Sequence, residues 1–263
     1  MILLEEGAGR GFLSNYLTIL LAFRELIEKR GVPPGEIFVS SSMFSLYGDP
    51  SNWFAPEKVR SAAEAGPCER LDTMKLWYQL NGLADFRPGL YGELAACRKY
   101  FGYNPGTAAW LARSARTPDN CLGLHFRGTD NNYGKAPAGH AAPAGLPVFL
   151  ARVSRELETG RYENLFVATD EEGVVEKVRE YCLLKHRFDK IHSNAVTRSA
   201  DGAALHFSRL GPPARVKLGY EVLLDAHCLA GCAAVICKAS NIAGYLLALD
   251  EKAALLRVDL PPA

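Results

Sequence analysis

The second half of the chain reads as an α/β fold built on a parallel sheet, and three observations lead there. Apolar runs of strand length at 121–127, 164–169, 233–237 and 255–258, with a short one near 190–192, alternate with helical patterns at 147–158, 171–184, 219–230 and 242–249. The strand cores are near-continuous in apolar residues rather than alternating, the mark of strands covered by helices on both faces. Finally, polar clusters follow four of the strands: Arg127 to Asp130, Thr169 to Glu171, His192 to Asn194, and Lys238 to Asn241. In parallel α/β sheets, ligands sit beyond the carboxyl ends of the strands, so these four clusters belong on one rim. The expectation is a Rossmann-like domain with a nucleotide or phosphosugar site along that rim.

The first half is less regular. Residues 1–4 read as a short strand feeding a glycine-rich loop from Gly7 to Asn15, and an apolar helix follows over 16–29, closed by Gly31 and Pro33-Pro34. Strand, glycine loop and helix make either a phosphate cradle or a simple turn. The glycine spacing matches neither the dinucleotide fingerprint nor the P-loop. A second strand is expected at 37–40. Residues 41–67 are rich in turn formers and carry Phe44, Tyr47, Trp53 and Phe54, which read as a binding loop or as caps on a core. Helices are expected at 71–83, 89–100 and 107–116. The run Thr117-Pro118-Asp119-Asn120 then breaks the chain into lobes 1–118 and 119–263.

Composition narrows the function classes. With 263 residues the chain is long enough to bury a substantial core. Thirty basic against 29 acidic residues leave no field for nucleic acid or an anionic membrane. No apolar run spans a bilayer, and the first residues lack the pattern of a signal peptide. Seven cysteines, with no C-x-x-C pair, favour reduced thiols and a cytoplasmic protein. Cys228, Cys232 and Cys237 beside His227 read as core packing rather than metal ligands, so no metal and no cofactor are expected.

The stretch Leu122 to Asp130 concentrates the chemistry. An apolar strand ends in a cation, a glycine, a hydroxyl and a carboxylate within four residues, Arg127 to Asp130. The planar fork of Arg127 suits a diphosphate, and Gly128 admits close approach of the backbone to a ligand. The alternative is a solvated turn in which Arg127 and Asp130 pair with each other. Ser240 or Asn241 is placed to cap the following helix, whose N-terminal amides then suit an anion.

These residues also carry a family resemblance. The order H-F-R-G-T-D, F-V-A-T-D-E and L-L-D-A-H-C-L-A-G-C-A-A-V-I-C-K-A-S-N resembles three blocks of the fucosyltransferase superfamily: H-V-R-R-T-D-K, L-A-T-D-D and L-D-I-H-F-L-S-Q-x-D-F-L-V-C-T-F-S-S. That superfamily holds the nodulation and core α1,6-fucosyltransferases and the protein O-fucosyltransferases. The segment 195–202, with His206, is similar to the R-S-x-D-G loop of bacterial members.

The resemblance implies a GT-B-like architecture, with two Rossmann-like lobes facing a cleft. Lobe 1–118 would take the acceptor and lobe 119–263 the donor. It implies inverting transfer of fucose from GDP-fucose, without a metal, to a glycan, peptide or small-molecule acceptor. Arg127, Asp130 and Glu171 are its catalytic candidates. Arg127 stands where the family's arginine binds the diphosphate, and His125 supports the same rim. Asp170 matches the first acid of A-T-D-D, while Glu171 replaces the second. Asp225 matches an aspartate associated with nucleotide recognition, Ser240 matches one of two serines near the phosphates, and Asn241 replaces the other. Ser199 and Asp201 come from the R-S-x-D-G loop. Gly9, Arg10 and Asn15 join the donor side through the looser match of the first half. Gly128 replaces a second arginine, Asn131 replaces a lysine, and Lys135 stands where the core enzymes place a proposed glutamate base. That leaves Glu171, Asp130 and His140 as candidates for the base. Two alternatives stand beside this reading: the same fold with another nucleotide sugar, and a non-catalytic nucleotide-binding protein.

Overall fold

The computed structural model describes residues 1–5, 11–73, 76, 88–128, 144–200, 205, 210–250 and 252–258. Gly9, Arg10, Asp130, Asn131, Lys135, His140, Asp201 and His206 lie outside the described residues.

Among the described residues two parallel sheets form. The first holds β1 (Ile2–Glu5), β2 (Ile37–Ser40), β3 (Val59–Arg60) and β4 (Glu69–Asp72) in the order β3-β2-β1-β4. Ile2 stands opposite Ile37 on one side and Glu69 on the other. Helix α1 (Phe12–Arg24) leaves β1 and runs on as a π-helical turn, Glu25–Lys29. It starts four residues before the expected 16, because Gly11 holds the extended N-cap conformation and Phe12 packs its ring among Phe44, Tyr47, Trp53 and Phe54. Every residue from Phe12 to Phe23 is buried, so α1 is the central post of the first half.

Two strands escaped the sequence reading. β3 is a two-residue edge. β4, Glu-Arg-Leu-Asp, begins the stretch read as a helix over 71–83, of which Leu71 and Asp72 are strand. Three of its four residues are charged and exposed and only Leu71 is half-buried, so it carries no apolar strand signature. Backbone pairing to β1 and the Arg70–Glu5 ion pair at 2.7 Å fix its register instead. A single helical turn, α2 (Ala62–Ala65), precedes it behind a capping box made by Ser61 and Glu64. After it come α3 (Pro88–Ala95) and α4 (Pro105–Ser114), close to the expected helices. α4 starts on Pro105 behind Asn104, whose side chain accepts the Thr107 N–H.

The second sheet holds β5 (Cys121–Phe126), β6 (Asn164–Thr169), β7 (Ile191–His192), β8 (Ala234–Cys237) and β9 (Leu255–Arg257) in the order β7-β6-β5-β8-β9. The helices α5 (Leu146–Glu158), α6 (Val174–His186), α7 (Pro212–Ala230) and α8 (Asn241–Leu249) alternate with these strands, as expected for the Rossmann-like half. α7 starts seven residues before the expected 219: Pro212 and Pro213 open its first turn, where a missing N–H costs nothing, rather than breaking the chain. Burial confirms two covered faces. Leu122, Leu124 and Phe126 of β5 join Phe149 of α5 and Val174 and Val178 of α6 in one core. The intervening Cys121, with Phe166, Ala168, Val235 and Cys237, joins α7, α8 and α1 in the other.

α8 belongs to both halves. Its first turn follows β8, while its body packs on α1 and α3. At Gly244 a Cβ would come within 2.4 Å of the Tyr91 ring of α3, so only a glycine lets these helices approach this closely. The Tyr245 hydroxyl meets the Tyr103 hydroxyl and, at 3.2 Å, Nε2 of His227.

Candidate functional site

The second sheet reverses its winding between β5 and β8, and the crevice beyond the carboxyl ends of those two strands is where such sheets bind ligands. A cleft opens there. His125 and Arg127 line it from the end of β5, Thr169 and Asp170 from β6, Ser240 and Asn241 from the start of α8, and Glu221 and Asp225 from α7. The opposite wall comes from the first half: Gly11 to Ser14 at the start of α1, with Tyr47.

The β5–β6 side is a charged rim. One oxygen of Asp170 accepts the Gly128 N–H at 2.9 Å, and the other lies 4.0 Å from Arg127 Nε. The carboxylate thus ties the two strand ends together and orients the guanidinium. The pairing raised for Arg127 with Asp130 therefore has a described counterpart in Asp170. His125 stands on the α7-facing side of β5, two residues before Arg127. Burial lowers its imidazole to about 4 against an upward pull from Asp170, with Arg127 adding to the fall. It is neutral at physiological pH and serves as a polar wall.

Two helix N-termini open on the cleft. Ser240 Oγ accepts the Ala243 N–H at 3.3 Å and caps α8. Gly11 heads α1 with no side-chain cap. Each leaves backbone N–H groups and the positive end of a helix dipole near the same space.

The α7 wall is acidic. Asp225, only 8% exposed, accepts a hydrogen bond from Asn194 Nδ2 at 2.8 Å. Burial pushes its carboxyl up to about 7; Asn194 and Arg198 pull it down, and Glu221 pushes it further up. Glu221, one turn earlier, accepts the Thr197 N–H at 3.1 Å and pairs with Lys217 at 3.2 Å. The segment 194–198 is thereby strapped to α7.

His125, Arg127, Asp170, Asp225, Ser240 and Asn241 all line the cleft. Three of the expected residues stand beside it. Asn15 is buried one turn into α1, where its Nδ2 donates to the Met43 carbonyl at 2.7 Å and braces the chain after β2. Ser199 is buried as well. Its N–H donates to the Asp170 carbonyl at 2.7 Å, and its own carbonyl accepts from Glu172 at 2.9 Å, which extends β6 by one bridge at Glu171. Glu171 lies over Gly128. Phe44, Trp53 and Phe54 are core residues; of that aromatic run only Tyr47 reaches the cleft. The sequence reading missed Glu221 and Thr197. Glu221 carried a signal, since it sits four residues before Asp225 and shares its helix face. Thr197 lay within the segment 195–202 read as similar to the R-S-x-D-G loop, and Tyr47 within the aromatic run read as a binding loop or as caps on a core, but neither was singled out from its stretch. Among the described residues no group of three His, Cys, Asp or Glu is placed to hold a metal ion, and no helix is long and apolar enough to cross a membrane.

No family model matches the chain, and no curated protein matches it at a significant level. Solved structures do. The selenomethionine form of the fucosyltransferase NodZ from Bradyrhizobium matches with a TM-score of 0.50 at 12% identity, over 93% of this chain and 90% of that one. NodZ α-1,6-fucosyltransferase soaked with GDP-fucose follows at 0.48 and 11% identity, over 94% and 92%. POFUT1 in complex with GDP follows at 0.46 and 9%, over 96% and 98%. Identity this low speaks to the fold alone. Two parallel α/β sheets, each wound about a switch point, together with the NodZ likeness over nearly the whole of both chains, give this protein a GT-B-like, fucosyltransferase-like fold.

Proposed function

We propose that the protein is a glycosyltransferase that takes fucose from GDP-fucose and delivers it, with inversion, to an acceptor entering from the first half. One observation carries this reading: Arg127 and the capped N-terminus of α8 converge on one cleft at the switch point of the second sheet. A transfer from a nucleotide sugar builds negative charge on the departing diphosphate. A fixed guanidinium and a helix N-terminus stabilise that charge without the cost of reorganising solvent. Asp170 holds the guanidinium in place, and Asp225 stands on the α7 wall as an acceptor suited to the N–H edge of a base. In this reading residues 119–263 form the donor lobe and 1–118 the acceptor lobe, and the reaction proceeds without a metal.

A second reading, the same chemistry with another nucleotide, is favoured by Gly128. A Cβ there would fall 1.8 Å from Glu171 Oε2, so the rim has no room for a second cation beside Arg127. Calorimetric titration with GDP, UDP, dTDP and CDP, with EDTA present, separates the two. Selective GDP binding, lost in Arg127→Ala, supports the GDP-fucose reading. Preference for another nucleotide moves the assignment to the second reading, and no binding of any nucleotide overturns both.

A further inference from the structure

Gly128 and Glu171 share one volume. An ideal Cβ on Gly128 would meet not only the Glu171 carboxylate at 1.8 Å but also Glu171 Cβ and Cδ at 2.8 Å each. The tip of a glutamate swings away cheaply; its Cβ does not. The Glu171 backbone is pinned by its N–H to Thr169 Oγ1 at 3.2 Å and by the bridge to Ser199. The side chain therefore lies across the backbone of the residue that follows Arg127, and glycine at 128 is what lets it.

Among the described residues, the other acids and bases at the cleft are committed or weak. Asp170 serves Gly128 and Arg127. Glu221 serves Thr197 and Lys217. Asp225 accepts from Asn194, and burial keeps its proton on to near neutral pH. His125 is too weakly basic, since burial lowers its imidazole to about 4. Among the described residues the Glu171 carboxylate has no hydrogen bond and no ion pair, and the half-buried side chain lies at the edge of the cleft over Gly128, the residue that follows Arg127.

We propose that Glu171 is the general base of the transfer, and that Gly128 is the positioning residue that admits it. This rests on the reading of the cleft as a nucleotide-sugar site. In the step, the acceptor oxygen forms a bond to the anomeric carbon. The bond from that carbon to the β-phosphate oxygen breaks, and its electron pair leaves with the nucleoside diphosphate. The acceptor proton passes to the Glu171 carboxylate, which later returns it to water. A base so placed contributes about 100-fold or more to turnover.

The test uses the full-length protein and GDP-fucose with water as the acceptor, following release of GDP, alongside calorimetric binding of GDP. The expected result is that Glu171→Gln binds GDP within about twofold of the unmodified protein but releases it from GDP-fucose about 100-fold more slowly. Gly128→Ala should show the same split, and added formate should restore part of the rate to Glu171→Ala. Release by Glu171→Gln within about twofold of the unmodified rate, or loss of its GDP binding, overturns the assignment while the function of the cleft stands. If the unmodified protein binds GDP poorly and releases none from GDP-fucose, the reading of the cleft falls, and this assignment with it.

Discussion

The two sheets are wound alike and equipped differently. Each places its first strand, β1 or β5, beside a later strand across a switch point, with the two intervening strands on the other side. Each is followed by a helix whose start reaches the cleft: α1 from the first sheet, α8 from the second. Beyond the strands of the second sheet stand Arg127, Asp170, Ser240 and Asn241, with His125 one residue inside the end of β5. The first half offers Gly11 to Ser14 and the ring of Tyr47. Around α1, Phe12 (which also borders the cleft), Tyr16, Phe44 and Phe54 pack against one another and against Trp53 and Phe101 with ring centroids 4.8–5.9 Å apart. The comparison teaches that winding creates a crevice, whereas the residues just past each strand decide what it binds.

Breaking the charged side should cost most. Arg127→Ala is expected to lower turnover about 1000-fold with unchanged far-UV circular dichroism. Ser14→Ala, on the opposite wall, should stay within about threefold, since its helix end loses no charge. Equal losses at the two positions would mean that the walls share the work.

The acidic wall gives the next largest effect, and it depends on pH. Asp225 holds its proton more tightly folded than unfolded, so the stability it contributes is present at low pH and is lost as pH rises from about 4 to about 7. Asp225→Asn should therefore stabilise the fold increasingly across that window, by up to roughly 4 kcal/mol, and evenly above it. Denaturant titrations of both proteins at pH 5 and pH 8 check this; an equal difference at both pH values would sink it. His125 and His227 act in the opposite sense. Burial lowers both imidazoles to about 4, so their contribution is lost as pH falls from about 6.5 toward 4.

Smaller effects test the element common to both halves. Gly244→Ala drives a methyl into the Tyr91 ring and should destabilise by about 1–3 kcal/mol. Ser240→Ala removes the α8 cap and should cost about 1 kcal/mol, with weaker GDP binding as the second readout. A Gly244→Ala protein as stable as its parent would show that α8 is only loosely seated on α3.

Much of the second half was legible because its strands are apolar without interruption and buried on both faces. β5 and β6 fall where their runs of hydrophobic residues place them. Their polar successors then had to share a rim, which brought Arg127 and Asp170 into one site. Asp225 is different: on a helix wall its place came only from the resemblance in sequence, since an aspartate in an apolar helix has no local signature. What stayed hidden was specified by contacts distant in sequence. β4 is a strand because β1 offers it a backbone ladder, although three of its four residues are charged. α1 starts early because Phe12 finds partners more than thirty residues away. Glu171 over Gly128 is a side-chain packing detail that no periodicity encodes.

The seat of α8 also bears on how the chain is made. The first half is synthesised long before residues 241–249, yet Tyr245, Leu246 and Leu247 complete the core around α1. Until that late segment emerges, a helix buried on every side has part of its apolar surface uncovered. Domains otherwise tend to fold in the order they leave the ribosome. Here the earliest piece waits for one of the last, so a fragment ending near residue 118 should be insoluble, and a nascent chain stalled short of α8 should be a substrate for chaperones.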